Sequence, residues 1–288
     1  MKKEIILVHH ISHREFKVDF PNNSSINAKE IQIGRDFKIG ANVNIKVRGQ
    51  FKIGDFGRFG NNVTINAENV DIGDHFFHYT DGLNIGGGGS QFPYADFIIG
   101  DRCVVHNNYI NLAIGVRLGN DVGLSPDTDI ITHGFWNSIL EGYPVKYDSV
   151  VLNDGVIVGQ RSLILPGCNI AKNIVIGAGS IVTTDLTEEK SIYAGNPAKF
   201  IKKIIEPSYN EKVDMMANIL MKYNLLIAGT PYKKLEFDYP LITLDDAIIN
   251  VDSKLLIGTE TETTDKFRDY LRRYGIRIYT DRPFVSLV

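Results

Sequence analysis

An all-β solenoid with three short strands to each coil is the fold class this sequence predicts, and three observations predict it. The first is an unbroken aliphatic series in steps of six: Leu152, Val158, Ile164, Ile170, Ile176 and Val182. At 43% hydrophobic composition such a run arises by chance roughly six times in a thousand, before correction for the frames searched. The second is the period itself, which is neither the 3.6 of a helix nor the 2 of a half-buried strand. It fits a coil of three strands of about six residues, each pointing one aliphatic side chain inward. The third is the run of small or turn-competent residues after these positions: Val158-Gly159, Ile164-Leu165-Pro166-Gly167, Ile170-Ala171 and Ile176-Gly177. Residues 18 apart then stack, Leu152 on Ile170, Val158 on Ile176 and Ile164 on Val182.

The rest of the chain follows in order. Residues 1–30 read as a short β-rich lead-in ending at Pro21-Asn22-Asn23-Ser24-Ser25. Its first residues, Met1 to His10, suit a strand better than a signal peptide, because polar residues follow and no small-residue cleavage site appears. The repeat begins at Ile33-Gly34, Ile39-Gly40 and Ile45, slips by two, and resumes at Ile53-Gly54, Phe59-Gly60, Ile65 and Ile72-Gly73. Glycine or asparagine after an inward residue suits corners with unusual backbone angles. Between about 74 and 97 the period is lost, and His75, His78, four glycines (Gly86 to Gly89) and Phe92-Pro93-Tyr94 predict an ejected loop. The period returns at Ile99 and Val105, slips by one, and runs through Leu112, Leu118, Leu124 and Ile130. It breaks from about 132 to 149, a second ejected loop, and resumes at Leu152. Residues 31–204 therefore form the solenoid domain. Residues 205–288 predict a small α/β appendage of unassigned role, with helices over 208–226 and 265–274. Phe267, Tyr270, Leu271 and Tyr274 share a face of the second helix, and Thr264 and Gly275 stand as its caps. Strand-like runs surround it at Leu235-Glu236-Phe237, at 247–251 and at 276–279.

Composition narrows the function classes. With 31 basic and 34 acidic residues there is no basic excess for nucleic acid or a membrane surface. Cys103 and Cys168 are too few for a disulfide framework. No apolar run approaches the ~20 residues of a membrane span. A soluble, cytoplasmic protein is the expectation.

A coil carries no chemistry of its own, so the loops are where function is expected. The second loop opens with Ile131-Thr132-His133-Gly134-Phe135-Trp136-Asn137, which holds the single tryptophan. Imidazole titrates near neutrality, so a histidine at a loop mouth can serve as a general base. Taken alone, it is more often a surface or packing residue.

The surrounding motifs change that weighting. Residues about 99–204 resemble the hexapeptide-repeat acyltransferases, specifically the sugar and xenobiotic O-acetyltransferase branch. The segment 125–134 (Ser125-Pro126-Asp127-Thr128-Asp129-Ile130-Ile131-Thr132-His133-Gly134) is similar to the family's catalytic segment. Leu165-Pro166-Gly167 and Ile176-Gly177-Ala178-Gly179-Ser180-Ile181-Val182-Thr183 match its late coils. Tyr193-Ala194-Gly195-Asn196-Pro197-Ala198-Lys199-Phe200-Ile201-Lys202 matches its C-terminal signature.

The resemblance implies a left-handed parallel β-helix and a homotrimer, with acetyl-CoA held between neighbouring solenoids and no metal. It implies direct acetyl transfer to a hydroxyl, with His133 as general base. Trp136 would wall the acceptor site or plug a loop base. Asn108 matches a polar acceptor-side position, with corner hydrogen bonding as its other reading. Asp127 stands where the branch often has an acceptor-contacting asparagine, and a carboxylate accepts but does not donate. For the coenzyme, Gly159 and Ala178 fit places where the pantetheine arm nears the backbone, and Thr183 and Thr184 its outer end. Lys199 and Lys202 would meet the nucleotide phosphates. Ile157 departs from the family, where tryptophan often packs on the arm. The expected acceptor is a saccharide such as a surface-polysaccharide precursor.

Rival readings are testable against the same residues. N-acetylation of an amino sugar would use the same base. A carbonic anhydrase on this fold needs three zinc-binding histidines, and His106 and His133 are 27 residues apart. A structural or binding solenoid would show uninterrupted coils, whereas this one breaks around a histidine.

Overall fold

The computed structural model describes residues 6–7, 16–229, 235–282 and 284. The other residues of the lead-in, including most of the predicted strand over Met1 to His10, lie outside that set. The chain forms two compact units, Met1–Ile204 and Ile205–Val288.

The first unit is a parallel β-solenoid consistent with a left-handed β-helix, its strands lying in sheets of eight, nine and nine. A first face includes Glu30–Ile33, Gln50–Ile53, Val70–Ile72, Phe97–Ile99, Val116–Leu118, Val150–Leu152 and Asn169–Ile170. The chain turns from it to a second face, which runs from Lys38–Ile39 to Ser191–Ala194. It turns again to a third, which includes Ser24–Ala28, Val43–Val47, Val63–Ala67, Leu83–Gly87, Tyr109–Asn111, Asp129–Ile130, Leu163–Ile164 and Ile181–Val182. The aliphatic series stacks in register as its period requires. Leu152 is opposite Ile170, Val158 opposite Ile176 and Ile164 opposite Val182, all with 0% exposure. Each such side chain contributes about 1.5–3 kcal/mol of burial.

The corners between first and second faces show why the sequence tolerates them. Asp36, Phe56, His75, Arg102, Asp121 and Asn173 all take left-handed backbone there, with φ between 52° and 59°. For Phe56 and His75 the strain is offset by stacking, with ring centroids 4.8 Å apart and planes 9° from parallel.

The two-residue slip after Ile45 also has a physical cause. The lower coils carry five-residue strands on the third face, so Asn44 pairs with Thr64, 20 residues on. Those strands point three residues inward, as in Val43, Ile45 and Val47, where Asp129–Ile130 points only Ile130.

One boundary needs correction. The predicted loop over 74–97 is mostly coil: Phe77–His78 and Leu83–Gly87 are strands, and Phe76, His78, Leu83 and Ile85 are buried. Only residues 88–96 leave the solenoid. Histidine occupies an inward position at His78, opposite Val105, and so hides the period. The second loop, 132–149, leaves as predicted, carrying a small hairpin of His133–Gly134 with Lys146–Tyr147 and a short 3₁₀ turn, Ile139–Glu141.

The second unit holds α1 (Tyr209–Leu226), an antiparallel sheet of Glu236–Asp238, Leu241–Leu244, Ala247–Asn250 and Leu255–Gly258, and α2 (Glu262–Arg272). Tyr223, Ile242, Ile249, Phe267 and Leu271 make its core. The N-cap of α2 is Thr261, not Thr264. The two form a reciprocal box, in which Thr264 N–H donates to Thr261 Oγ1 at 3.3 Å and Thr261 N–H to Thr264 Oγ1 at 2.8 Å. The run 276–279 is not a strand: the Arg268 guanidinium donates to the Ile278 carbonyl at 3.4 Å, satisfying backbone that a ladder would otherwise use. Among the described residues, no helix is long and apolar enough to cross a membrane.

Candidate active site

Both ejected loops leave from the edge where the third face turns to the first. The earlier follows Leu83–Gly87 and the later follows Asp129–Ile130. The two meet: Phe92 and Tyr147 lie with ring centroids 6.1 Å apart, edge to face. Arg48, from a lower coil, ties the first loop down, with Nε on Glu68 at 2.7 Å and Nη2 on the Phe92 carbonyl at 2.6 Å. Its Nη1 donates to the Ser90 carbonyl. The four glycines are a tight path. A Cβ on Gly86, at φ +92°, would come within 1.7 Å of the Asn66 carbonyl oxygen, and one on Gly89, at φ +146°, within 2.8 Å of the Ala113 Cβ.

His133 sits where the loops converge. Its imidazole stacks on Tyr147 at 5.4 Å and 20°, and tilts against Phe135 at 5.5 Å. Its Nδ1 lies 2.7 Å from Asn111 Oδ1. The orientation of that amide is fixed by its other partners. Asn111 Nδ2 donates to the carbonyls of Gly87 and Gly88, the latter at 2.8 Å. Thr132 donates to Asn111 Oδ1 through its N–H at 3.2 Å and its hydroxyl at 2.7 Å. Two carbonyls on one side demand the NH₂ there, so oxygen faces His133, and Nδ1 must carry the ring proton. The Nε2 lone pair is then the basic one. Asn111 is 1% exposed, so this network is shielded from competing water.

Sequence comparison adds the family. No family model matches the chain. A protein of Lysinibacillus sphaericus provisionally named a macrolide acetyltransferase is 33% identical over 130 residues, 42% of this chain and 69% of that one. The chain belongs to the hexapeptide-repeat acetyltransferases. A protein of Saccharomyces cerevisiae provisionally named an acetyltransferase is 36% identical over 116 residues, 39% of this chain and 58% of its own length. The chloramphenicol acetyltransferase of Agrobacterium fabrum is 36% identical over 103 residues, 35% of this chain and 44% of that enzyme. The matches thus span about half to two-thirds of these relatives. Among solved structures, a maltose O-acetyltransferase from Clostridium difficile 630 is 24% identical over 60% of this chain and 70% of that one, with a TM-score of 0.33.

The other predicted site residues divide between two edges of the third face. Thr183 and Thr184 are exposed on the same edge as His133. The Ile131 N–H donates to the Ile164 carbonyl and the Leu165 N–H to the Val182 carbonyl, so Thr183 stands two coils above Ile131, about 10 Å along the axis. Gly159 and Ala178 stack at the opposite edge, where the second face turns to the third. A Cβ on Gly159 would fall 2.5 Å from the Ala178 nitrogen. Ala178 is exposed, and nothing lies within 4 Å of a Cβ on neighbouring Gly179. Lys199 and Lys202 lie on Lys199–Lys203, paired antiparallel to Ser191–Ala194 at the end of the second face. Both are exposed, and among the described residues neither has an ion-pair partner. The small residues and unpaired ammonium groups fit a pantetheine arm and phosphates. Ile157 is half-buried on the second face.

Asn108 and Asp127 also lie at this opposite edge, away from His133 within one chain. Asn108 is 2% exposed and spends its amide on the corner, donating to the Ser125 carbonyl at 2.8 Å and accepting from His106 N–H at 2.7 Å. Asp127 accepts from Asn107 and lies 3.7 Å from Arg161. Trp136 is 94% exposed, and the rings against His133 are those of Phe135 and Tyr147. Among the described residues no group of three His, Cys, Asp or Glu side chains converges as a metal site. His78 is buried in the coil, its Nδ1 accepting from Gly60 N–H at 3.1 Å, and burial lowers its pKa to about 4.

Sequence reasoning missed Asn111, Tyr147 and Phe135. Asn111 alone left a trace, as a polar residue beside Leu112 where the period slips.

Proposed function

We propose that the chain is an acetyl-CoA-dependent O-acetyltransferase acting on a saccharide hydroxyl, with His133 as general base. The observation that carries this reading is the 2.7 Å contact of His133 Nδ1 with Asn111 Oδ1, which holds the ring so that Nε2 is the nitrogen left to exchange a proton where two loops meet. Relatives named for macrolides and chloramphenicol, both hydroxyl-bearing, are matched over 69% and 44% of their length, against 28% for a relative named as an N-acetyltransferase, which supports oxygen as the nucleophile. The stacked rings of Phe135 and Tyr147 supply apolar surface for a sugar face.

The thioester supplies an electrophilic carbonyl and a thiolate leaving group. His133 Nε2 takes the acceptor proton as its oxygen bonds to that carbonyl carbon. The C–S bond then breaks, and the imidazolium returns the proton to the departing sulfur. Asn111 holds the ring through Nδ1 while the positive charge is present. The acetyl group passes directly to the acceptor, with no covalent enzyme intermediate.

The two edges carrying the predicted residues lie on opposite sides of one face, so a single chain does not assemble them. In a cyclic homotrimer, the His133 edge of one protomer faces the Gly159–Ala178 edge of the next. Acetyl-CoA would occupy that groove, with Ala178 and Gly159 beside its arm and Lys199 and Lys202 toward its phosphates.

The test is release of free CoA thiol from acetyl-CoA with mono- and oligosaccharide acceptors, for wild type and His133→Ala. Acceptor-dependent release reduced roughly 100-fold or more is expected for the variant. Unchanged turnover would remove His133 as base.

A further inference from the structure

The first face carries an arrangement that the site above does not use. The two edges brought together in the proposed trimer both bound the third face, so the first face lies outside that contact and stays open to solvent. Its outward column includes Lys52, Asp71, Ile98, Arg117 and Val151, each in register with the next. Lys52 and Asp71 pair at 3.3 Å. Arg117 stands alone. Its cross-strand neighbours are Ile98 and Val151, it is exposed, and among the described residues it has neither an ion-pair nor a hydrogen-bond partner. A guanidinium serving the ladder would meet an acid across the strands.

The stems of both ejected loops build a groove around it. The groove has a volume of about 190 Å³, and its lining includes Asp96, Ile98, Gly115, Arg117, Ser149 and Val151. The first loop returns through Asp96 and the second through Ser149, on either side of the strand that starts after Gly115. Val116 N–H donates to the Asp96 carbonyl at 2.9 Å, and Val150 N–H to the Gly115 carbonyl at 3.3 Å. Glycine keeps the floor low. A Cβ on Gly115 would lie 3.4 Å from the Asp96 carbonyl oxygen and 3.5 Å from that of Tyr94, which sets Tyr94, 66% exposed, at the rim. Asp96 Oδ1 accepts from Asn69 at 2.9 Å, and its Oδ2 has no partner among the described residues. The groove therefore offers a guanidinium, a carboxylate oxygen and a serine hydroxyl among aliphatic side chains. Guanidinium holds a carboxylate in two parallel bonds, and a carboxylate oxygen accepts from hydroxyls. A sugar bearing a carboxylate beside its hydroxyls satisfies both. The volume is below the roughly 300 Å³ of a pocket that encloses a whole small ligand, and suits one unit of a longer chain.

The groove adjoins the base. Ala113 and Ile114 N–H both donate to Thr132 Oγ1, at 3.0 and 3.2 Å, so the residue before His133 is fastened to the residue before Gly115. The two places are nonetheless distinct, because the imidazole meets Asn111, Phe135 and Tyr147, none of which lines the groove. Arg117 is two residues beyond Gly115, about 7 Å along the strand. Resting on the acyl-transfer reading above, we propose that this groove is an accessory subsite for a carboxylate-bearing sugar of the acceptor. Arg117 takes the carboxylate and Asp96 a hydroxyl, while a neighbouring unit of the same chain meets His133. The acceptor is an oligomer or polymer with acidic units.

The experiment is calorimetric binding of tetragalacturonate, with neutral maltotetraose as the second arm, in the absence of acetyl-CoA. Wild type, Arg117→Ala and Arg117→Lys are compared, the side chain being outward and exposed so that its replacement leaves the core intact. Tetragalacturonate should bind wild type more tightly than maltotetraose does, weaken roughly tenfold in Arg117→Ala, and recover part of that loss in Arg117→Lys. Maltotetraose should not distinguish wild type from Arg117→Ala. No binding of tetragalacturonate to wild type would overturn the subsite, as would equal binding to wild type and Arg117→Ala. A loss in Arg117→Ala as large for the neutral tetramer would make the arginine merely structural. Acetyl-CoA binding to wild type, titrated with no acceptor present, separates the two readings whatever the acceptor's length. Acetyl-CoA bound without Arg117-dependent binding of tetragalacturonate sinks the subsite alone. Arg117-dependent binding of tetragalacturonate with no binding of acetyl-CoA sinks the acyl-transfer reading alone.

Discussion

Replacing Asn111 with leucine tests whether the buried amide sets the state of the base. The bond at stake is 2.7 Å long and 1% exposed at its Asn111 end. A neutral hydrogen bond contributes about 1 kcal/mol and one to a charged group about 2 kcal/mol or more. Imidazole becomes imidazolium as the acceptor proton moves, so the bond gains roughly 1–1.5 kcal/mol during the step. That difference is transition-state stabilisation, and its loss predicts a kcat about tenfold lower. Leucine also leaves the Gly87 and Gly88 carbonyls without their donor, a defect of the loop and not of the ring. Asn111→Asp separates the two effects, because it still accepts from Nδ1 but cannot donate to either carbonyl. Steady-state kinetics and thermal melts on both variants supply the comparison. Leucine should lower kcat with the KM for acetyl-CoA changed less than about twofold, and aspartate should keep more of kcat while melting at a lower temperature than wild type. If Asn111→Leu turned over at the wild-type rate, the amide would be a structural plug and the tautomer argument would fail.

Two further outcomes follow from groups away from the base. His78 titrates near 4 in the folded chain and near 6.5 unfolded, so below pH 6.5 the unfolded state alone gains the proton and stability falls with pH. Denaturant midpoints should show a loss of about 2 kcal/mol between pH 8 and pH 5 that is absent in His78→Val, and parallel slopes for the two proteins would refute it. Lys199→Ala/Lys202→Ala should weaken CoA binding roughly tenfold at low salt and leave pantetheine binding unchanged, measured by calorimetry. A loss equal for both ligands would move the lysines away from the phosphates.

What was legible in the sequence follows from which interactions are periodic. Inward aliphatics stack on their own kind, so Leu152, Val158 and Ile164 announce both the fold and its register. His78 takes an inward position with a polar side chain, which broke the pattern and made coil look like loop. His133 stands out as a candidate in the sequence because its segment, Thr132-His133-Gly134, is similar to a family motif. Asn111 does not, because its importance lies in what four other groups do to it. Gly87, Gly88, Thr132 and His133 are brought to one amide only when two loops separated by two coils fold back to the same edge. In the same way Thr261 and Thr264 both read as caps, and only the reciprocal bonds decide which begins the helix.

The position of the site has a cause in the coil itself. On the lower coils the third face has a third inward position, filled by Val47 and then Ala67; at the next coil the register shifts after Ile85, and Gly87 stands opposite Asn111. Above, in Asp129–Ile130, that position no longer exists. A prism that narrows at one edge has more chain than perimeter there, and the excess backbone cannot stay inside without partners for its polar groups. It leaves as the loops at 88–96 and 132–149, and the carbonyls at the step, Gly87 and Gly88, are bonded by the buried amide of Asn111. Having spent its NH₂ on the step, that amide has only its oxygen to offer His133. The ring orientation that would leave His133 Nε2 free to act as a base is therefore set at the same step from which the loops around it leave.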